Sequence, residues 1–159
     1  LKQGIKGWEV TDIKISLIEG EDHEIHSRPG DFKIATPMGI MNGLNEIGTT
    51  LLEPILSFKI TAPEELLGKI TSDIIQMRGS FDSPETENDM FIIQGTMPLA
   101  TSIDYPVKLS SRSGGKAKIS TEFHSYQACK DEEGVIREYK GISPLDTAKY
   151  ILKARKAIQ

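Results

Sequence analysis

A single cysteine, Cys129, among 159 residues excludes an internal disulfide framework and fits a reducing compartment. No apolar run approaches the roughly 20 residues of a membrane span, and no signal peptide is legible. The expectation is a cytoplasmic chain without a membrane partner. A basic surplus is missing as well: 19 Lys and Arg face 23 Asp and Glu, for a net charge of −4. By segment, five basic residues stand against eight acidic in 1–50, seven against ten in 51–128, and seven against five in 129–159. That balance excludes a general nucleic-acid coat and leaves RNA contact to local loops. No phosphate-binding GxxxxGK[ST] occurs either, since Gly68-Lys69 lies inside a helical pattern and Gly114-Gly115-Lys116 leads into a strand. The chain is therefore expected to hold no nucleotide through a P-loop.

What is present, 38% hydrophobic residues, suffices for one good core, or one core and a satellite. Leu52, Leu56, Phe58 and Ile60 share parity and predict a strand. A turn at Thr61 and Ala62 then leads to Pro63 as a first helical residue, with Glu64 and Glu65 at the positive end of the helix dipole. Leu67, Ile70, Ile74 and Met77 form a stripe that must lie on a sheet; Arg78 ends the helix and Gly79 is expected to cap it in the left-handed conformation. Ser80 to Ser83 starts a strand, Pro84 to Asn88 is a polar turn, and the apolar run Met90 to Met97 suits a central strand closed by Pro98. A weaker helix follows over Ala100 to Ser111, with Ile103, Val107 and Leu109 buried and Pro106 capping, kinking or splitting it. Lys116 to Ser125 alternates as a last strand. The sum is α+β: a ferredoxin-like βαββαβ antiparallel sheet with two helices on one face.

On either side lie smaller pieces. Leu1 to Gly7 reads as the last turn of a helix, and Trp8 to Glu19 as a strand with a change of face near Thr11. Gly20 to Gly30 is a polar loop. Phe32 to Ile47 predicts a helix capped by Asp31, apolar on more than one side, with Pro37 early and Gly48 closing it. Lys130 to Gly141 is charged linker. Ser143, Pro144 and Asp146 then signal a helix whose apolar residues are Ala148, Ile151, Leu152 and Ile158. Lys149, Lys153, Arg155 and Lys156 load its end, either as a solvated face or as a phosphate contact. The chain begins at Leu1 in mid-pattern and reads as an excised piece of a larger protein.

Few residues carry chemistry. His23 and His26, with Asp22 and Glu24 beside them, have loose spacing for a metal, and a solvated loop is the plain reading; no metal is assigned. Cys129 has no adjacent base in sequence and reads as an inert thiol. His124 alternates outward. Arg78 satisfies helix carbonyls in the plain reading, or contacts a partner.

The order and spacing of Leu51-Leu52-Glu53-Pro54, Pro63-Glu64-Glu65 and Arg78-Gly79 resemble the opening of the last domain of elongation factor G and its relatives. Gly7, Trp8, Val10, Asp12, Gly20, His23, Ser27 and Phe32 resemble the second half of that family's fourth domain. Trp8 to Asp12, Pro29 to Phe32 with Pro37, and the C-terminal Leu145-Asp146 with Lys149 to Leu152 look more like the tetracycline ribosomal protection proteins. The tip departs from those proteins: Glu24-Ile25-His26 stands where they carry serine-proline-valine, and His23 falls where elongation factor G places a histidine. The resemblance implies three segments: 1–50 as the rest of a fourth domain, 51–128 as the fifth, and 129–159 as linker and terminal helix. It implies a parent GTPase, with GTP and Mg bound outside this chain, whose ribosomal partners are ribosomal RNA and stalk-base protein. The implied contacts are the tip loop Asp22, His23, Glu24, Ile25, His26 and Ser27, together with Gln76, Arg78, Arg112 and Lys116. Self-association through the N-terminal strand is a further expectation. The rival reading treats 51–128 as a stand-alone ligand-binding regulatory domain.

Overall fold

A computed structural model describes residues 1–129 and 134–157. They fall into two compact units, Leu1–Leu51 with Asp131–Gln159, and Leu52–Lys130. Sequence reasoning set 129–159 apart as a third segment; of its described residues, 134–157 share a unit with the first 51 residues and Cys129 falls in the other.

The unit Leu52–Lys130 is the ferredoxin-like layer. Strands β1 (Leu52–Pro63), β2 (Ser80–Phe81), β4 (Met90–Pro98) and β5 (Lys118–Ala128) pair antiparallel in the order β2-β4-β1-β5. The polar stretch predicted as a turn contains a further short strand, β3 (Glu85–Glu87), folded onto β4. Asn88 and Asp89, with φ of 51° and 60°, make the tight reversal that such a hairpin requires. Phe58, Ile60 and Ala62 of β1 lie opposite Gly95, Ile93 and Phe91 of β4. Against this face pack Ile70 and Ile74 of α2 (Leu67–Gln76), Met77 just after it, and Tyr105 and Leu109 of α4 (Tyr105–Arg112). Ile60, Ile74, Phe91 and Ile93 are wholly buried, each burial stabilising the fold by about 1.5–3 kcal/mol.

Four local expectations change. Leu52 is 41% exposed and Ile55 is buried in its place; beside Ile55 and Leu56 the partner strand β5 bulges, its pairing skipping His124 between Ser125 and Phe123. Pro63 ends β1 rather than starting the helix, and a 3-10 turn, Glu64–Leu66, intervenes. The second helix is split: α3 (Leu99–Ser102) precedes α4, with Pro106 in the first turn of α4 where its missing N–H costs least. The split rotates the buried face to Ser102, Tyr105 and Leu109, and leaves Ile103 and Val107 69% and 74% exposed. Finally, the left-handed residue after α2 is Arg78, at φ 63°, not Gly79. Arg78 N–H donates to the Ile75 carbonyl and Gly79 N–H to that of Ile74, the paired bonds of a Schellman ending. Gly79 is needed for closeness instead, since a Cβ there would stand 2.7 Å from Ile74 Cγ2 and 3.0 Å from the Thr96 carbonyl oxygen.

The other unit has little sheet character. Trp8 to Glu19 is not a strand: no ladder pairs it, and Leu17 and Ile18 are 91% and 95% exposed. Leu1 to Gly7 is not helical but turns back on the next residues, Gly4 N–H bonding the Trp8 carbonyl and Val10 N–H that of Leu1. Helix α1 (Asp31–Ile47) starts from Gly30 rather than from an Asp31 cap, since the Asp31 carboxylate accepts from Arg28 N–H outside the helix. It buries one stripe, centred on Met41 and Leu44, while Phe32 and Ile47 stay exposed. The residues read as charged linker are strapped to the chain's start, in their described part. Gln3 and Lys140 exchange two bonds, Trp8 Nε1 donates to the Val135 carbonyl, and the Arg137 guanidinium lies 3.3 Å over the Trp8 ring. Helix α5 (Thr147–Ala154) is capped by Asp146, which accepts from Lys149 N–H and is held below its ordinary pKa by its hydrogen bonds with Lys149. Ser143 instead makes a separate turn through Leu145 N–H. Ile158, predicted on this helix's apolar face, lies outside the described residues. Arg155 pairs with Asp31, joining α5 to α1.

Residues 11–19 join no ladder, so their backbone groups are open to pairing with a second copy of the chain. Light scattering of concentrated protein is expected to show dimers or larger species; a strictly monomeric profile, with this segment protected from hydrogen exchange, contradicts that.

Candidate functional site

The tip is a tight turn built on His23. Its carbonyl accepts from both His26 N–H, at 3.0 Å, and Ser27 N–H, at 2.8 Å. Its own N–H donates to Ser27 Oγ at 2.8 Å, so residues 23 and 27 close the loop reciprocally. Nδ1 of His23 accepts a long bond, 3.4 Å, from Ile25 N–H, and the His26 ring sits 4.5 Å away by centroid. A neutral ring accepting at Nδ1 carries its proton at Nε2, a ready donor. All six predicted tip residues, Asp22 to Ser27, are exposed, and Ile25 is the apolar one at 82%. Among the described residues no three His, Cys, Asp or Glu gather as metal ligands.

In the ferredoxin-like unit the four predicted contacts separate. Gln76 and Arg112 come together in an open cleft of about 340 Å³ between α2 and α4, lined also by Asp73, Met77, Thr101, Tyr105 and Lys108. Arg78 lies elsewhere, in a two-pronged pair with Glu53 at 2.7 and 2.8 Å. Such a fork-to-carboxylate pair is stronger than a single contact, and it holds Arg78 in its left-handed conformation. Lys116 is exposed in the turn before β5.

Sequence reasoning missed the cleft's centre. Asp73 is 8% exposed; Arg112 Nη1 binds its Oδ2 at 2.5 Å and Lys69 Nζ its Oδ1 at 3.2 Å. The readable signal was a carboxylate three residues after Ile70 and four before Met77, inside an apolar stripe. Tyr105 is 3% exposed, and its hydroxyl is buried beside Asp73. Burial first, then the negative charge of nearby Asp73, pushes its phenol well above the ordinary range.

The chain thus combines a ferredoxin-like sheet in one unit with a closed turn at residues 23–27 leading into α1 in the other. Residues 50–134 match the family described as Elongation factor G C-terminus, and residues 1–47 match Elongation factor G, domain IV. The chain belongs to the elongation factor G family. It is 37% identical over 158 residues to the Tetracycline resistance protein TetP of Clostridium perfringens, covering 99% of this chain and 24% of that protein. It thus spans about a quarter of that relative's length. A crystal structure of a Thermus thermophilus protein superposes with a TM-score of 0.71 at 26% identity, over 99% of this chain and 22% of that one. No helix among the described residues is long and apolar enough to cross a membrane.

Proposed function

We propose that this chain is the ribosome-binding C-terminal region of a translational GTPase in the branch that includes the tetracycline resistance protein. The tip, residues 22–27, reaches the decoding centre, while the ferredoxin-like unit docks on the large subunit through Gln76, Arg112 and Lys116. Arg78 acts there by fixing the end of α2 through Glu53. GTP and Mg belong to domains outside this chain, and the setting is the cytoplasm. The observation that carries the reading is the family match to both segments, together with a tip whose histidine turn is closed by its own bonds. A preformed turn presents its imidazole at small entropic cost, and imidazoles stack on bases or donate to phosphates.

The test is His23→Ala in the full-length protein. Ribosome-dependent activity, read as translocation and as survival on tetracycline, is expected to fall. Folding stability of the chain is expected to change by less than about 0.5 kcal/mol, as for an ordinary surface substitution. Unchanged activity would remove His23 from the contact, and a large loss of stability would make it structural.

A further inference from the structure

Strand β5 is the long open edge of the sheet. Among the described residues it pairs with β1 alone, while the far side of β4 is taken by β2 and β3. Its bulge builds a surface. Phe123 pairs with Leu56 and Tyr126 with Pro54, which share parity on β1, so skipping His124 sets two aromatic residues three positions apart on one face. Their rings meet at 5.1 Å between centroids, and they stand 59% and 62% exposed. Leu52, at the same parity on β1, extends the patch. A long unpaired edge with exposed apolar side chains is a template for another strand. We propose that two copies of this chain pair antiparallel through β5, about a two-fold axis at Phe123, and so join their sheets into one.

The strand is complementary to itself in that register. With His124 skipped in each copy, as it is against β1, Phe123 meets Phe123 of the second copy. Outward from the axis, Glu122 then meets Ser125, Thr121 meets Tyr126, Ser120 meets Gln127 and Ile119 meets Ala128. Each of these pairs joins residues of one face, as their β1 partners show. Thr121, Ile119, Tyr126 and Ala128 lie opposite Phe58, Ile60, Pro54 and Leu52, all of one parity. Glu122, Ser120, Ser125 and Gln127 lie opposite Ser57, Lys59, Ile55 and Glu53, all of the other. Without the skip, Thr121 would meet Ser125 and the faces would fall out of step. Rings and methyl groups therefore gather on one face of the junction and polar side chains on the other. The skipped His124 comes beside Glu122 of the second copy, where an imidazole N–H can donate to the carboxylate. Lys118 and Glu122 are the only lysine and acidic residue on β5, and no like charges are opposed.

The experiment is sedimentation equilibrium of the 159-residue chain carrying Ile15→Pro and Leu17→Lys, which block pairing through the separate segment 11–19. A monomer–dimer equilibrium is expected to persist in that background. Adding Phe123→Lys sets two ammonium groups face to face on the axis and should weaken dimerisation by about tenfold or more. The side chain is largely exposed, so the far-UV circular dichroism of this variant should match the parent chain. Phe123→Cys should give a reducible dimer under mild oxidation, because directly opposed residues of an antiparallel pair hold their Cβ atoms about 4.5–5.5 Å apart. Ser120→Cys, opposed to Gln127 on the other face, should not. The chain with Cys129 alone is the control, since that thiol is buried. A background chain that stays monomeric to about 1 mM would overturn the proposal and assign any association to segment 11–19. So would a folded Phe123→Lys variant that dimerises unchanged, or Ser120→Cys linking as readily as Phe123→Cys.

Discussion

Phe91→Ala is expected to cost the ferredoxin-like unit about 3–5 kcal/mol. The ring is completely buried, sits opposite Ala62 on β1, and belongs to the cluster that α2 and α4 cover. Removing it leaves a cavity that none of its three neighbours can fill: Ala62 is small, and Ile60 and Ile93 are held by strand pairing. Small domains have total stabilities near the lower end of roughly 5–15 kcal/mol, so most of this unit's margin would go. The check is denaturant unfolding followed by far-UV circular dichroism. A loss below about 1.5 kcal/mol would mean that the helices do not rest on this part of β4.

Gly7→Val should have the largest effect in the other unit. Gly7 has φ 73°, which L side chains rarely adopt, and a Cβ there would overlap the Arg137 carbonyl oxygen. That oxygen is backbone, so no side chain can yield; the strap must move away. The Lys6 carbonyl would lose Arg137 N–H, the Trp8 ring would lose its guanidinium, and Trp8 Nε1 its Val135 acceptor. Strain at the left-handed position and these lost contacts together amount to about 2–4 kcal/mol. Trp8 is the chain's sole tryptophan, so its emission reads the event directly. A red shift toward fully solvated indole is expected under native conditions; an unshifted spectrum would contradict the strap.

These two positions show what the sequence could and could not reveal. Phe91 was legible because a central strand is a near-continuous apolar run, and the parity of Phe58 and Ile60 with the α2 stripe identified the layer beneath. The β5 bulge was not, for it appears only when Ile55 and Leu56 meet Ser125 and Phe123 in register. The α3–α4 split had its signal in Pro106, but which residues turned inward depended on the rotation between the two helices. Trp8 to Glu19 shows the converse: alternation predicts a strand only where a partner exists. The strap was illegible because its contacts join residues 3–8 to 135–140, and charge composition alone reads as linker. At the site, the tip histidines were visible as residues; the closure of residue 23 on residue 27 was not. Arg78 was placed at a helix end correctly, but its partner Glu53 lies 25 positions away.

The central claim is that this chain by itself recognises the ribosome. The most direct measurement is equilibrium co-sedimentation of the 159-residue chain with purified 70S ribosomes over a range of salt. Saturable binding is predicted, weakening as salt rises because a few phosphate contacts release counterions. It should weaken further, at every salt concentration, when Lys108 and Lys116 are changed to Glu. No binding at low salt, or binding indifferent to both salt and those substitutions, would contradict the claim.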